Sequence, residues 1–129
     1  MATQTAVTGE GIRPSHSPGM CPAVHAGDFV FLRGETGKDA TGKIVSEDPG
    51  EQTRQILTNI SNMLHAAGGS LQDVVSATIY LMYDEDFDAF NAVWSEFFRD
   101  CVPGPARCTI VAQLSGIARV EIQCTAYMK

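Results

Sequence analysis

PGPARCTIVAQLSGIARVEIQCTAY, residues 103 to 127, decides how the chain is read. It reads as two apolar strands, roughly Arg107–Leu114 and Arg119–Tyr127, joined by a short turn at Ser115-Gly116. Each carries one charge in a segment that otherwise reads as interior. Arg107 follows a Pro-Gly-Pro turn at the mouth of the first strand, and Glu121 lies inside the second. A charge in such a place is costly unless it is paired or used. An arginine grips a planar carboxylate through two parallel hydrogen bonds, and a nearby glutamate can orient or activate a water. That combination suits hydrolysis of a small carboxylate-bearing molecule. On residue types alone, a purely structural Arg107–Glu121 ion pair between subunits stands beside it as an equal reading.

In the last strand Val120, Ile122, Cys124 and Ala126 share one face, and Arg119, Glu121, Gln123, Thr125 and Tyr127 the other. DVVSATIYLM (73–82) reads as another strand, with Val75, Ala77, Ile79 and Leu81 opposite Val74, Ser76, Thr78, Tyr80 and Met82. Between the two lies a helix that starts near Asp84–Asp86. The acids suit its N-terminus, and Phe87, Phe90, Trp94, Phe97 and Phe98 form an apolar stripe that reads as core. The run Asp84, Glu85, Asp86, Asp88 lacks a calcium-loop pattern and reads as a solvated helix start.

Towards the N-terminus, Asp48 caps a first helix, Pro49 takes its first position and Glu51 completes the capping-box spacing. Ile56, Leu57, Ile60, Met63, Leu64 and Ala67 form its stripe, and Gly68-Gly69 ends it. Ala23–His25 and Asp28–Glu35 read as a hairpin turning at Ala26-Gly27-Asp28. Phe29, Phe31 and Arg33 share one face of its second strand, Val30 and Leu32 the other. Residues 1–20, rich in Gly, Ser, Thr and Pro, read as a flexible loop. The expected order is β-β-α-β-α-β-β: an α+β domain spanning 1–129, one mixed sheet with two helices packed on one face. The second sheet face, half apolar and half polar, is too sticky for water and is expected to meet other subunits, with sites between them.

At 129 residues, 44% hydrophobic and 19% charged, the chain has the size and composition of one ordinary globular domain. No apolar run approaches the roughly 18 residues that cross a bilayer. The N-terminus has no basic region followed by an apolar stretch, so no signal peptide and a cytoplasmic location are expected. Nine Lys and Arg against fifteen Asp and Glu give a net charge of −6, without the basic cluster that nucleic-acid binding requires. The cysteines, Cys21, Cys101, Cys108 and Cys124, form no C-x-x-C pair and have no histidine at ligand spacing, so neither zinc nor disulfides are expected. Cys124 reads as core; Cys108, beside Arg107, is the one to watch. His25 and His65 have no visible partner and take no role.

The ordered set QTRQILTNISNMLHAAGGSLQDVVSATIYL, DFDAFNAVWSEFF, PGPAR and RVEIQCTAY resembles the Rid (reactive intermediate deaminase, or YjgF) family from about Gly19 to Lys129. The resemblance implies a chorismate-mutase-like fold and a homotrimer whose sheets form a central barrel with clefts between subunits. It implies hydrolysis of enamines and imines to 2-oxo acids and ammonia. It places the substrate-carboxylate arginine on Arg107, the strand carboxylate on Glu121, a cleft-lining glycine on Gly34 and a helix asparagine on Asn91. The family's cysteine falls on Thr109, with Cys108 adjacent. Three departures stand out. Met20 stands where many deaminases have a tyrosine. Arg33 replaces a small hydroxyl residue, either adding a second cation to the cleft or filling it and pairing with Glu35 or Glu121. The Arg107–Glu121 interval is one residue shorter than the deaminase branch leads one to expect. The expected mechanism is acid–base hydrolysis without metal or organic cofactor: Arg107 binds the carboxylate, Glu121 positions water, and Gly34 and Thr109 orient the substrate. A non-catalytic trimer that binds a 2-oxo acid, and an RNA-cleaving protein, are the competing classes.

Overall fold

A computed structural model describes residues 4–15 and 17–128. Six strands form one mixed sheet in the order β1-β2-β3-β6-β4-β5. They are β1 Gln4–Ala6, β2 Ala23–Ala26, β3 Phe29–Leu32, β4 Val74–Leu81, β5 Ala106–Val111 and β6 Val120–Tyr127. Two helices, α1 Pro49–Ala66 and α2 Phe87–Phe98, pack on one face. The expected α+β layering is present, with one strand more than the sequence reading. Gln4–Ala6 lies inside the segment read as loop, yet it pairs antiparallel with β2. Three exposed polar and small residues carry no periodicity, so only the pairing reveals the strand.

Local chemistry accounts for the elements. Asp48 accepts the Glu51 amide at the start of α1, with Pro49 at its first position, and Gly68 takes φ +95° just beyond its end, where a side chain would be strained. Ile56, Leu57, Ile60, Met63 and Leu64 are buried against the sheet as their spacing predicts. The β2–β3 hairpin turns at Gly27, φ +59°, leaving Val30 and Leu32 buried and Phe29 and Phe31 exposed. In β6 the alternation holds throughout: Val120, Ile122, Cys124 and Ala126 are fully buried.

Four expectations need correction. The strands on either side of Ser115-Gly116 are not hairpin partners: β6 runs between β3 and β4, and β5 pairs in parallel with β4 on its far side. β5 is therefore an edge strand, exposed along its length in the single chain, not an interior one. In β4 a bulge between Val74 and Ser76 buries Val74 and exposes Val75, because one extra residue reverses the alternation. The acidic run is not simply solvated, since Asp86 is buried and takes both an Nε–H and an Nη–H bond from Arg119, each 2.8 Å. Such a bidentate pair offsets the desolvation of the carboxylate.

Cys124 sits at the centre of the core, and burial pushes its thiol up to about 12. It should stay unlabelled by a disulfide-exchange reagent at pH 8 in the native protein and react only after denaturation. The sign of the linked effect follows. Between the ordinary thiol value of 9.0 and about 12 the unfolded thiol ionises and the folded one does not, so its contribution to stability is lost as pH rises through that window.

Two half-sites on opposite faces of one sheet

Arg107 enters β5 opposite Ala77 of β4. Ala77 belongs to the helix-facing row of the sheet, so the arginine reaches towards α2. Its guanidinium lies 5.1–5.8 Å from the ring centres of Phe87, Phe90 and Trp94, close enough for cation–π attraction. Asn91, one turn on from Phe87, accepts an Nη1–H bond at 2.8 Å. Burial lowers the pKa of this guanidinium, though it remains a cation at any physiological pH. The aromatic stripe that reads as core is thus also a seat for the arginine. Nothing in its helical period separates the two roles, because one turn supplies the Phe90 that fills the core and the rings that meet the cation. Thr109 pairs with Ile79 and lies on the same side as Arg107, while Cys108 pairs with Thr78 and lies on the other. A cavity of about 350 Å³ opens beside Arg107, along Trp94, Phe98 and Pro105.

Glu121 pairs with Tyr80. Along β4 it is three residues from Arg107's partner Ala77, roughly 10 Å, and the odd offset places it on the other face. One chain therefore does not bring Arg107 and Glu121 together, so a site or an ion pair that uses both needs a second subunit. Gly34 abuts Glu121 instead: a Cβ there would run into the carboxylate oxygen. The chain segment after β3 is held in place by Glu35, whose backbone bridges to Ile122 in both directions. The start of β6 is fixed by Gln52 of α1, a buried amide that accepts from the Arg119 amide and donates to the Ser46 and Ile117 carbonyls.

Arg33 does not continue the exposed face of β3. It turns to Glu35, donating through Nε, and gives an Nη2–H to the Arg13 carbonyl at 3.0 Å. Glu35 is 1% exposed and is also met by Arg13 at 3.4 Å and by the Asn59 amide at 3.2 Å. Of its two expected partners, then, Arg33 takes Glu35 and not Glu121. Even so, it lines a cavity of about 220 Å³ with Gly34, Met20, Arg13 and Lys38. Glu35 and Arg13 are functional candidates that sequence reasoning did not single out; the signal was a glutamate two residues after Arg33, a spacing that lets both side chains share one side of an extended chain. Among the described residues no three His, Cys, Asp or Glu side chains converge to hold a metal, and no helix is long and apolar enough to cross a membrane.

A family model described as Endoribonuclease L-PSP matches residues 13–128. A RutC family protein of Pyrococcus horikoshii is 42% identical over 107 residues, 81% of this chain and 83% of the relative. The chloroplastic Reactive Intermediate Deaminase A of Arabidopsis thaliana is 41% identical over 106 residues, 81% of this chain and 56% of that one. The crystal structure of E. coli TdcF with bound serine superposes with a TM-score of 0.88 at 25% identity, covering 97% of this chain and 99% of the other. A single α+β sheet with this strand order and helix placement, matched over nearly its whole length, defines the class. The chain belongs to the Rid family of reactive intermediate deaminases, whose family model carries the endoribonuclease description.

Proposed function

We propose that this protein hydrolyses small imine or enamine carboxylates to a 2-oxo acid and ammonia, as a homotrimer with its sites at the subunit boundaries. The observation that carries the reading is the division of the candidate groups. Arg107, Asn91 and Thr109 lie at the β5 edge, and Glu121, Gly34 and Met20 lie with the other face. Each half has an unmet need. A cation on an edge strand has one side-chain acceptor, and a half-buried carboxylate has no side-chain hydrogen-bond or ion-pair partner among the described residues. The second face also exposes Phe29, Phe31, Ile110 and Tyr127 by 41%, 47%, 42% and 39%, an apolar row that suits burial against another copy. Joining the β5 edge of one subunit to the Glu121 face of the next would complete a site.

In that site Arg107 takes the substrate carboxylate in a bidentate grip, oriented by Asn91 and the rings of α2. The imine carbon is then held near a water beside Glu121. Water oxygen bonds to that carbon and the C=N π pair moves to nitrogen, while Glu121 takes one proton from the water and passes it to that nitrogen, giving a carbinolamine. Glu121 then takes the carbinolamine hydroxyl proton and returns it to the amine as the C–N bond breaks, leaving the C=O and ammonia. An enamine first moves one proton from nitrogen to carbon and then follows the same course. Gly34 leaves the space in which the substrate lies against Glu121. Cys108 falls on the Glu121 face of its own chain, so Thr109 is the better partner for an acid bound at Arg107.

The test is an imine panel generated in situ by amino-acid oxidases, with semicarbazone trapping or ammonia release as the readout. Faster hydrolysis by the protein supports the reading, and no acceleration across the panel sinks it. A second reading follows from the family resemblance, which puts Met20 where many deaminases carry a tyrosine: without that hydroxyl, the same cleft can hold a 2-oxo acid without turnover. Thermal shifts by 2-oxo acids, with no imine acceleration, would establish that reading. RNA cleavage fits less well with a net charge of −6 and with a sequence that holds no basic cluster of the kind phosphate tracking needs.

A further inference from the structure

The cavity beside Gly34 is chemically unlike the rest of this acidic chain. Of nine Lys and Arg in the whole sequence, three line it, Arg13, Arg33 and Lys38, and among the described residues no Asp or Glu is in its lining. Clustering of this kind in a chain of net charge −6 focuses positive potential into one concave place. Glu35 lies beneath, fully buried, and holds both guanidiniums. It neutralises part of their charge and fixes their direction. Arg33 uses Nε–H and one Nη2–H, and Arg13 uses one N–H on each Nη. Both forks therefore keep donors without a protein acceptor among the described residues. Ser15, also in the lining, has a buried Oγ with no hydrogen-bond partner among those residues. Donors fixed in place by the buried Glu35, an unmatched hydroxyl and no Asp or Glu in the lining among the described residues together describe a seat for an anion.

Gly34 ties this seat to the candidate chemistry, since it lines the cavity and abuts the Glu121 carboxylate. We infer that the Arg13–Arg33–Lys38 cavity is a second anion subsite that receives a side-chain carboxylate, making dicarboxylic imino acids the substrate class. The inference rests on the imine-hydrolase reading for its substrate, but the subsite can be tested without turnover. A substrate seated here would have its α-carboxylate at the neighbouring Arg107, its imine carbon beside Glu121 and its distal carboxylate at Arg33. A monocarboxylic imine would leave the guanidiniums unmet.

Two arms separate the claims. In the first, calorimetry compares 2-oxoglutarate with 2-oxobutanoate as unreactive product probes. The dicarboxylate should bind at least about tenfold tighter, with a stronger dependence on salt. That preference should fall about tenfold in Lys38→Met and in Arg33→Gln, and Arg33→Lys should keep part of it. Removing Arg33 exposes Glu35 to the loss of a partner, so Lys38→Met, which leaves the buried cluster intact, keeps the arm decisive if Arg33→Gln does not fold. Equal binding of the two acids, or a preference untouched by Lys38→Met, overturns the subsite. In the second arm, imines made by oxidases from glutamate and from methionine are compared for kcat/KM. Preference for the glutamate imine supports the subsite, and equal hydrolysis of both overturns it while the deaminase reading stands. No hydrolysis of either ends the deaminase reading and leaves the binding arm to decide the subsite.

Discussion

Arg107→Ala should lower kcat/KM for imine hydrolysis by on the order of 10²–10³ while leaving the protein folded. A hydrogen-bonded contact to a charged group contributes about 1.5–3 kcal/mol, which is roughly 10- to 150-fold in rate constant. Loss of the orientation that a bidentate grip imposes adds to this. The fold is expected to survive because Arg107 lies on an exposed edge strand, outside the buried cluster of the core. The loss should appear in KM as well as kcat, since the carboxylate is gripped in both ground and transition states. Arg107→Lys is the informative companion. It keeps the charge but not the fork, and an ammonium seats less well over Phe87, Phe90 and Trp94, so it should recover only a small part of the activity. If instead Arg107 only secures the fold, the melting temperature would fall and kcat/KM per folded molecule would hold.

How far the sequence carried these conclusions varies from element to element. Elements governed by near neighbours in the chain were legible. α1 announces itself through Asp48, Pro49 and a six-residue stripe, and β6 through strict alternation. The layers follow, because two amphipathic helices and a half-apolar sheet have few ways to bury their faces. Features set by pairing across the sheet were not legible. Nothing in SGIA says that β6 will leave β5 and insert between β3 and β4, and nothing in DVVS marks the bulge that swaps Val74 and Val75. The site was half legible. Arg107 and Glu121 stand out because each is a charge in apolar company, but one strand of register decides that they lie on opposite faces. The Asp86–Arg119 pair was hidden for a related reason: an acid in a polar run looks solvated until the fold lays an arginine against it. The Arg33–Glu35 pair was one of the two pairings the sequence left open.

Glu121→Gln should lower kcat by about 10²–10⁴, the usual contribution of a positioned proton-transfer group, with little change in the binding of a 2-oxo acid. The amide is nearly the shape of the carboxylate and fits beside Gly34, but it cannot take a proton from water. The stronger test combines this variant with the first. If each site draws Arg107 from one subunit and Glu121 from its neighbour, then Arg107→Ala and Glu121→Gln protein are each inactive alone. Unfolded together in equal amounts and refolded, they would form mixed rings. A boundary is intact when the subunit giving the arginine carries only Glu121→Gln and the one giving the glutamate carries only Arg107→Ala, which happens at about a quarter of boundaries in a randomly mixed ring. About a quarter of wild-type activity should therefore return. A site built within one chain would recover nothing on mixing, whatever the oligomeric state, because every chain in the mixture lacks one of the two groups.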